Sequence, residues 1–229
     1  MMAARLRSRW PAVVLAACVV VALAVVGYAG VRHSAAAVVT TGTVRLGPEP
    51  GEDVAAYLAG LAATLPPASA RTAALVQLGA EVTTADALTA VAGTTPRTAV
   101  FRVALPRVQT ALRFVALEDG VPEPAALDNA RARAAQAAAA DAQRLTERAG
   151  AVAAVEARAL ADPTCRCVLA VLVDGDRAGL VAVAARAGVR AVEAAPPDTT
   201  DPALAPLLPE QTVRADPPPD DGPVPSSAR

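Results

Sequence analysis

The chain has 229 residues, of which 54% are hydrophobic, 2% aromatic and 19% charged. Its 21 basic and 22 acidic residues leave a formal net charge of −1, which argues against a nucleic-acid binder with a basic face. Every basic residue is arginine, so neither a P-loop lysine nor a Schiff-base lysine is available.

Residues 1–10 carry Arg5, Arg7 and Arg9, with Trp10 at their end. Residues 11–31 follow as 21 positions without a charge. At about 1.5 Å per helical residue this run spans roughly 30 Å, the thickness of a hydrocarbon core. Arg32 and Arg45 come after it. The arginine excess on the N-terminal side predicts a single-pass transmembrane helix with a cytoplasmic N-terminus and an exported C-terminal domain. Two alternatives stay open. Gly27 and Ala29 offer a small-x-small site for signal cleavage, although the apolar run is long for a cleavable signal. Leu15-Ala16-Ala17-Cys18 matches a lipobox, but the dozen residues after Cys18 stay apolar where a lipoprotein normally turns polar.

Residues 32–50 read as a linker, ending in a short strand. Glu52 and Asp53 open an amphipathic helix with Val54, Tyr57, Leu58 and Leu61 at helical spacing, stopped by Pro66-Pro67. Two strand–helix–strand units follow. The first joins a strand at Ala73–Leu78, a helix through Ala87–Val91 ending at Gly93, and a strand at Ala99–Leu105, with a further strand at Ala111–Leu117. The second joins Cys167–Val173, a helix over Asp176–Ala187 and a strand at Val189–Ala194. Two such crossovers fit economically in one sheet with helices on one face. We expect an α+β fold, a ferredoxin-like sandwich over residues 51–195.

Between the units, ten of the 21 residues from Ala130 to Gly150 are alanine. High helix propensity with little bulk predicts one long helix lying on the sheet, bent at Gly150. The same stripe is the candidate surface for homo-oligomer contacts. Residues 196–229 hold ten prolines and six acids against two arginines. Such a composition predicts a disordered, solvated tail, with Leu204–Leu208 as one island able to dock.

The chemical inventory is thin. His33 is the only histidine, two residues past the apolar run. One His and three Cys, one of them Cys18 inside that run, do not make a zinc site. No glycine-rich phosphate loop is present, and no cofactor is expected. Carboxylate pairs such as Glu52-Asp53, Glu118-Asp119 and Asp220-Asp221 read as solvated surface. The remaining candidate is Cys165-Arg166-Cys167 at the entrance to an apolar strand. In an oxidising exterior these cysteines pair, as a structural bond, as bridges to a partner chain, or as a redox centre with Arg166 favouring the thiolate.

The run Gly51-Glu52-Asp53-Val54-Ala55-Ala56-Tyr57-Leu58, together with the ending from Leu207-Leu208-Pro209-Glu210-Gln211 to Pro223-Val224-Pro225, resembles uncharacterised single-pass membrane proteins of actinobacteria. Arginine-only, alanine- and proline-rich usage suits such a GC-rich genome. That resemblance implies no established activity and assigns no site residues. Separately, Leu180–Glu193 is similar to the closing helix–strand of subtilase propeptide inhibitors, a pattern generic to ferredoxin-like domains.

These observations lead us to expect a membrane-anchored envelope protein whose exported domain binds another envelope protein or senses a surface condition, with no catalytic activity and no nucleic-acid partner. The rival expectation is a membrane-tethered thiol–disulfide protein acting through Cys165 and Cys167.

Overall fold

The computed structural model describes residues 44–68 and 70–226. The expected cytoplasmic N-terminus (1–10), the transmembrane segment (11–31), Cys18, His33 and most of the 32–50 linker lie outside them. Among the described residues no helix is long and apolar enough to cross a membrane.

In chain order the elements are β1 (Arg45–Leu46), α1 (Val54–Gly60) continued by a 3₁₀ turn (Leu61–Thr64), β2 (Arg71–Val82), α2 (Thr84–Val91), β3 (Thr95–Phe101), β4 (Arg113–Ala116), α3 (Glu123–Arg144), α4 (Glu147–Ala161), β5 (Val168–Asp176), α5 (Arg177–Ala184), β6 (Val189–Ala194) and β7 (Ala203–Leu204). The fold is α+β. Helix starts follow local chemistry. Asp53, Thr83 and Asp176 each accept a hydrogen bond from a first-turn backbone N–H of α1, α2 and α5.

Five strands form one antiparallel sheet in the order β4-β3-β5-β2-β6, and β1 pairs with β7 in a separate parallel ribbon. β5 lies between β2 and β3, and β2 lies between β5 and β6, so the two strand–helix–strand units interleave.

Alternation along the strands sorts the sheet's two faces. Ala74, Val76, Phe101, Val171, Val173 and Val192 point to one face and pack with Leu127, Val155, Leu160, Leu180 and Val183 of the helices. Ala73, Leu75, Val100, Ala170 and Leu172 point to the other and meet Leu46 and Ala195. Both faces are covered. That is why Val168–Val173 is apolar at every position and buried throughout.

The Ala-rich stretch differs from the single helix expected. It is two helices, broken at Leu145-Thr146 rather than bent at Gly150. Leu145 is extended (φ −85°, ψ 150°) and Glu147 has φ +50°. A straight helix over 123–161 would run roughly 58 Å and overshoot the sheet. Folding back instead buries Ala126, Ala130, Ala134 and Ala138 of α3, and Val152, Val155 and Leu160 of α4. Gly150 has a different job. A Cβ there would sit 2.6 Å from the Leu145 carbonyl oxygen, so only glycine fits inside the corner.

Residues 196–226 also differ from the solvated extension expected. They run as a strap that crosses the second face of the sheet and ends against α4 and the main core, where Arg148, Arg158 and Val224 hold it. Ala203 and Ala205 N–H donate to the carbonyls of Val44 and Leu46, and Ala215 N–H to that of Glu52. Val54 N–H donates to the Val213 carbonyl, and Gly222 N–H to that of Arg107. Leu207 is fully buried. Proline lacks only the N–H, and the strap uses its non-proline donors where bonds are made. Its apolar side chains need only a surface already held in place, so composition alone undervalued it.

Candidate functional site

The strap closes over the sheet through polar pegs. Gln77 of β2 is completely buried. Its Oε1 accepts from Leu207 N–H at 2.7 Å, and its Nε2 donates to the Tyr57 hydroxyl at 2.6 Å. That hydroxyl donates to Glu193 Oε2 at 2.6 Å, the same oxygen that accepts from Gly47 N–H at 2.6 Å. Burial, then the Glu193 carboxylate, holds the Tyr57 phenol far above its usual range, so it stays a donor. One chain of bonds thus joins α1, β2, β6, the N-terminal segment and the strap. Gly47 (φ +121°) is obligatory at this crossing, since a Cβ would meet the Ala205 carbonyl oxygen at 1.8 Å.

A second peg is Arg102, just past β3 and 3% exposed. Its Nη1 donates to Glu81 at 2.8 Å and to Glu210 of the strap at 2.9 Å, and its Nη2 donates to the other Glu210 oxygen at 2.5 Å. Farther along, Arg107 forks onto Asp221, and Arg148 reaches Asp220 at 2.9 Å.

Between strap, sheet and the segment Arg45–Pro50 lies a cleft of about 310 Å³. Arg45, Arg102, Gln109, Thr110 and Gln211 line it with polar groups. Rings of Pro48, Pro50, Pro206, Pro217 and Pro218, with Leu112 and Leu208, supply its apolar wall. Arg45 Nε, Arg102 Nε and Thr110 Oγ1 are buried here and have no hydrogen-bond partner among the described residues.

A second cleft, about 340 Å³, opens at the α3–α4 corner. It is held by ion pairs. Arg113 donates to Asp141 at 3.0 Å and to buried Glu156 at 2.6 Å, and Glu156 also accepts from Ala111 N–H at 2.7 Å. Arg144, then Arg113, hold the Asp141 carboxyl below the usual range. The charges of Arg113 and Arg144 offset those of Asp141 and Glu156, which makes them struts for the corner, although Arg113 Nε has no partner among the described residues.

Cys165 and Cys167 are joined as a local disulfide. Cys167 is buried and Cys165 half-buried at the margin of the main core. Arg166 between them is exposed, its guanidinium 3.9 Å from Asp86. Of the carboxylate pairs, Asp220-Asp221 turns out to bind arginines, and Asp53 caps α1. Among the described residues no group of three or more His, Cys, Asp or Glu side chains is placed to hold a metal ion.

Nothing in the sequence marked the cleft. Its residues come from three distant segments, and the usable signal was small: Arg45 and Arg102 flanked by apolar neighbours, and Gln77 inside an apolar strand. No family model, no curated protein and no solved structure matches the chain.

Proposed function

We propose that the chain is a single-pass membrane-anchored envelope protein whose exported domain binds or senses a partner at the cell surface and carries out no reaction. The observation that supports this best is the strapped cleft. It is formed by the segment Arg45–Pro50, the sheet and the C-terminal strap together, and its lining contains polar groups and apolar rings but no carboxylate, histidine or thiol. Such a lining suits recognition. It offers no general base to activate the Thr110 hydroxyl as a nucleophile. The domain behind it is a ferredoxin-like interleaving of two strand–helix–strand units, supported by the order β6-β2-β5-β3 with β4 added at the edge.

Two measurements test the reading. Alkaline phosphatase fused after Arg229 is active if the domain is exported, because that reporter needs an oxidising space to form its disulfides. In-cell cross-linking then captures an envelope partner. Inactive phosphatase beside a fluorescent cytosolic reporter at the same site reverses the topology, and robust turnover by the purified protein alone removes the non-catalytic reading.

The thiol–disulfide alternative draws support from the Cys165–Cys167 bond, in which Cys165 is the half-buried residue and Cys167 the buried one. Equilibration with glutathione followed by mass spectrometry decides it. A pair that glutathione cannot reduce is structural.

A further inference from the structure

At one end of the sheet a single residue ties β2, β3 and the approach to β5 together. Val168 is the outermost β5 residue in register with its neighbours, with Val82 on one side and Phe101 on the other. Just beyond it, Cys167 N–H donates to the Val82 carbonyl at 3.0 Å, and Arg102 N–H donates to the Cys167 carbonyl at 2.8 Å. The ladder inside this rung is irregular. Gln77 pairs with Ala170 and Val82 with Val168, so residues 78–81 of β2 leave the pairing with β5. The two bonds of Cys167 therefore close an end of the sheet that its ladder holds poorly.

The strap's clamp hangs from the same rung. Arg102, whose amide is bonded to Cys167, grips Glu210 of the strap and Glu81, the residue before Val82. The main chain of Cys167 thus sets where the clamp's donor and one of its acceptors stand. The Cys165–Cys167 bond in turn fixes Cys167. Cys165 is itself held, by its N–H on the Asp162 carbonyl at 3.1 Å and by packing against the main core. Opening the bond returns backbone and side-chain freedom to residues 165–167. Strand ends open locally at much lower cost than strand centres, so the Cys167 rung is the first to feel that freedom.

We propose that the Cys165–Cys167 bond is a redox latch on the strap. Bonded, it keeps the Arg102 clamp seated and the cleft covered. Reduced by a dithiol, it frees the clamp and lets residues 205–211 lift. In that step a thiolate of the dithiol attacks the sulfur of Cys165, the half-buried residue of the pair. The S–S bond breaks, and the Cys167 sulfur leaves with the bonding electrons and takes up a proton. The second thiol of the reductant then displaces Cys165 as a thiol, so the dithiol ends as a disulfide and two electrons have passed to the pair. The latch rests on the exported, strapped cleft proposed above and adds its regulation.

The test uses the full-length chain in lipid nanodiscs and hydrogen exchange read by mass spectrometry. Dithiothreitol is the reductant, and thiol labelling confirms that the bond is open. Reduction is expected to speed exchange around Arg102 and over residues 205–211 at least about fivefold, while α3 and α4 keep their parent rates. Reoxidation with oxidised glutathione restores protection. Cys165→Ser, which cannot form the bond and leaves Cys18 in place, exchanges fast without dithiothreitol and does not respond to it. In Arg102→Met the strap is already loose, so reduction adds little, as two steps on one path require. A native bond that dithiothreitol cannot open overturns the latch. So does an opened bond with unchanged exchange over 205–211, equal acceleration in α3 and α4, a protected strap in Cys165→Ser, or full additivity with Arg102→Met. Failure here leaves cross-linking to an envelope protein untouched, whereas an inactive phosphatase fusion places the cysteines in a reducing space and removes the reading on which the latch rests.

Discussion

The sheet has two covered faces built on different principles. On one, α2, α3, α4 and α5 lay down leucine, valine and alanine on an apolar strand surface. On the other, a proline-rich strap crosses a smaller apolar patch and is held by Gln77, Tyr57, Glu193 and Arg102. Apolar packing is nondirectional and roughly proportional to area, so the helical face tolerates sliding and repacking. Buried polar pegs are directional and costly to leave unmade. They fix one register for a segment that has little area to bury. The helical face therefore carries stability, and the strapped face carries position, which is what the proposed binding role of its cleft needs.

The sharpest way to test that division is to damage the helical face first. Phe101 is fully buried there and is one of only two phenylalanines in the chain. Phe101→Ala should cost about 3–5 kcal/mol. In urea unfolding the sheet, helices and strap should lose their signals together at a lower midpoint. A variant that sheds the strap alone would break the comparison.

The counterpart on the other face is Gln77→Ala. It strips Leu207 N–H of its acceptor and removes a donor from the Tyr57 hydroxyl, at a cost of about 1–3 kcal/mol. The loss should be local. Helical circular dichroism stays as in the parent, while trypsin cuts faster after Arg214, the exposed arginine of the strap. Loss of helix signal in parallel with cleavage would show that the two faces are one cooperative unit.

The unequal legibility of the two faces has the same physical root. Periodicity reports apolar area, so β2, β3, β5, β6 and the start of α1 were readable from Ala73–Leu78, Ala99–Leu105, Cys167–Val173, Val189–Ala194 and the Asp53 that opens the first helix. The α3–α4 corner was not. Alanine favours helix everywhere, and only the close approach at Gly150 and the left-handed Glu147 reveal where the chain turns back. The strap was misjudged for a related reason. Its order comes from partners more than a hundred residues away, as with Leu207 on Gln77 and Asp221 on Arg107, and local composition carries no trace of such pairs. The candidate cleft inherits that blindness. Cys165 and Cys167 drew attention because adjacent cysteines are conspicuous, whereas Arg45, Arg102 and Thr110 become a set only after folding.

A smaller effect should follow from Glu210→Gln. Glu210 is 42% exposed on its side chain, against 3% for Arg102, so solvent screens much of the pair. Arg102 also keeps Glu81. The expected loss is about 1 kcal/mol or less, read as a modest gain in hydrogen exchange at Leu207 and Ala205. Arg102→Met should cost more, because it strands Glu81 and Glu210 together. If the two variants match, the buried guanidinium is not the peg that seats the strap.

The smallest effect belongs to the far end of the strap. Hydrogen bonds from Arg148, then from Gln109 N–H, lower the Asp220 carboxyl from its ordinary 3.8. Arg107 does the same for Asp221. A carboxyl lowered in the docked state favours docking in full above the ordinary value. The preference fades as pH falls below 3.8 through the lower docked values, because the released strap then binds more protons. Both clamps are solvent-exposed, so the preference is weak and salt reduces it further. The Gly222 amide, bonded to the Arg107 carbonyl at 2.7 Å, is a local reporter. Its NMR shift should hold steady from neutral pH down to the carboxylate range and move only below it. The Asp220→Asn, Asp221→Asn double variant should remove that acid step and show a partly undocked shift at neutral pH. An unchanged shift in that variant would mean that backbone bonding and Val224, packed on the main core, seat the strap's end without the carboxylates.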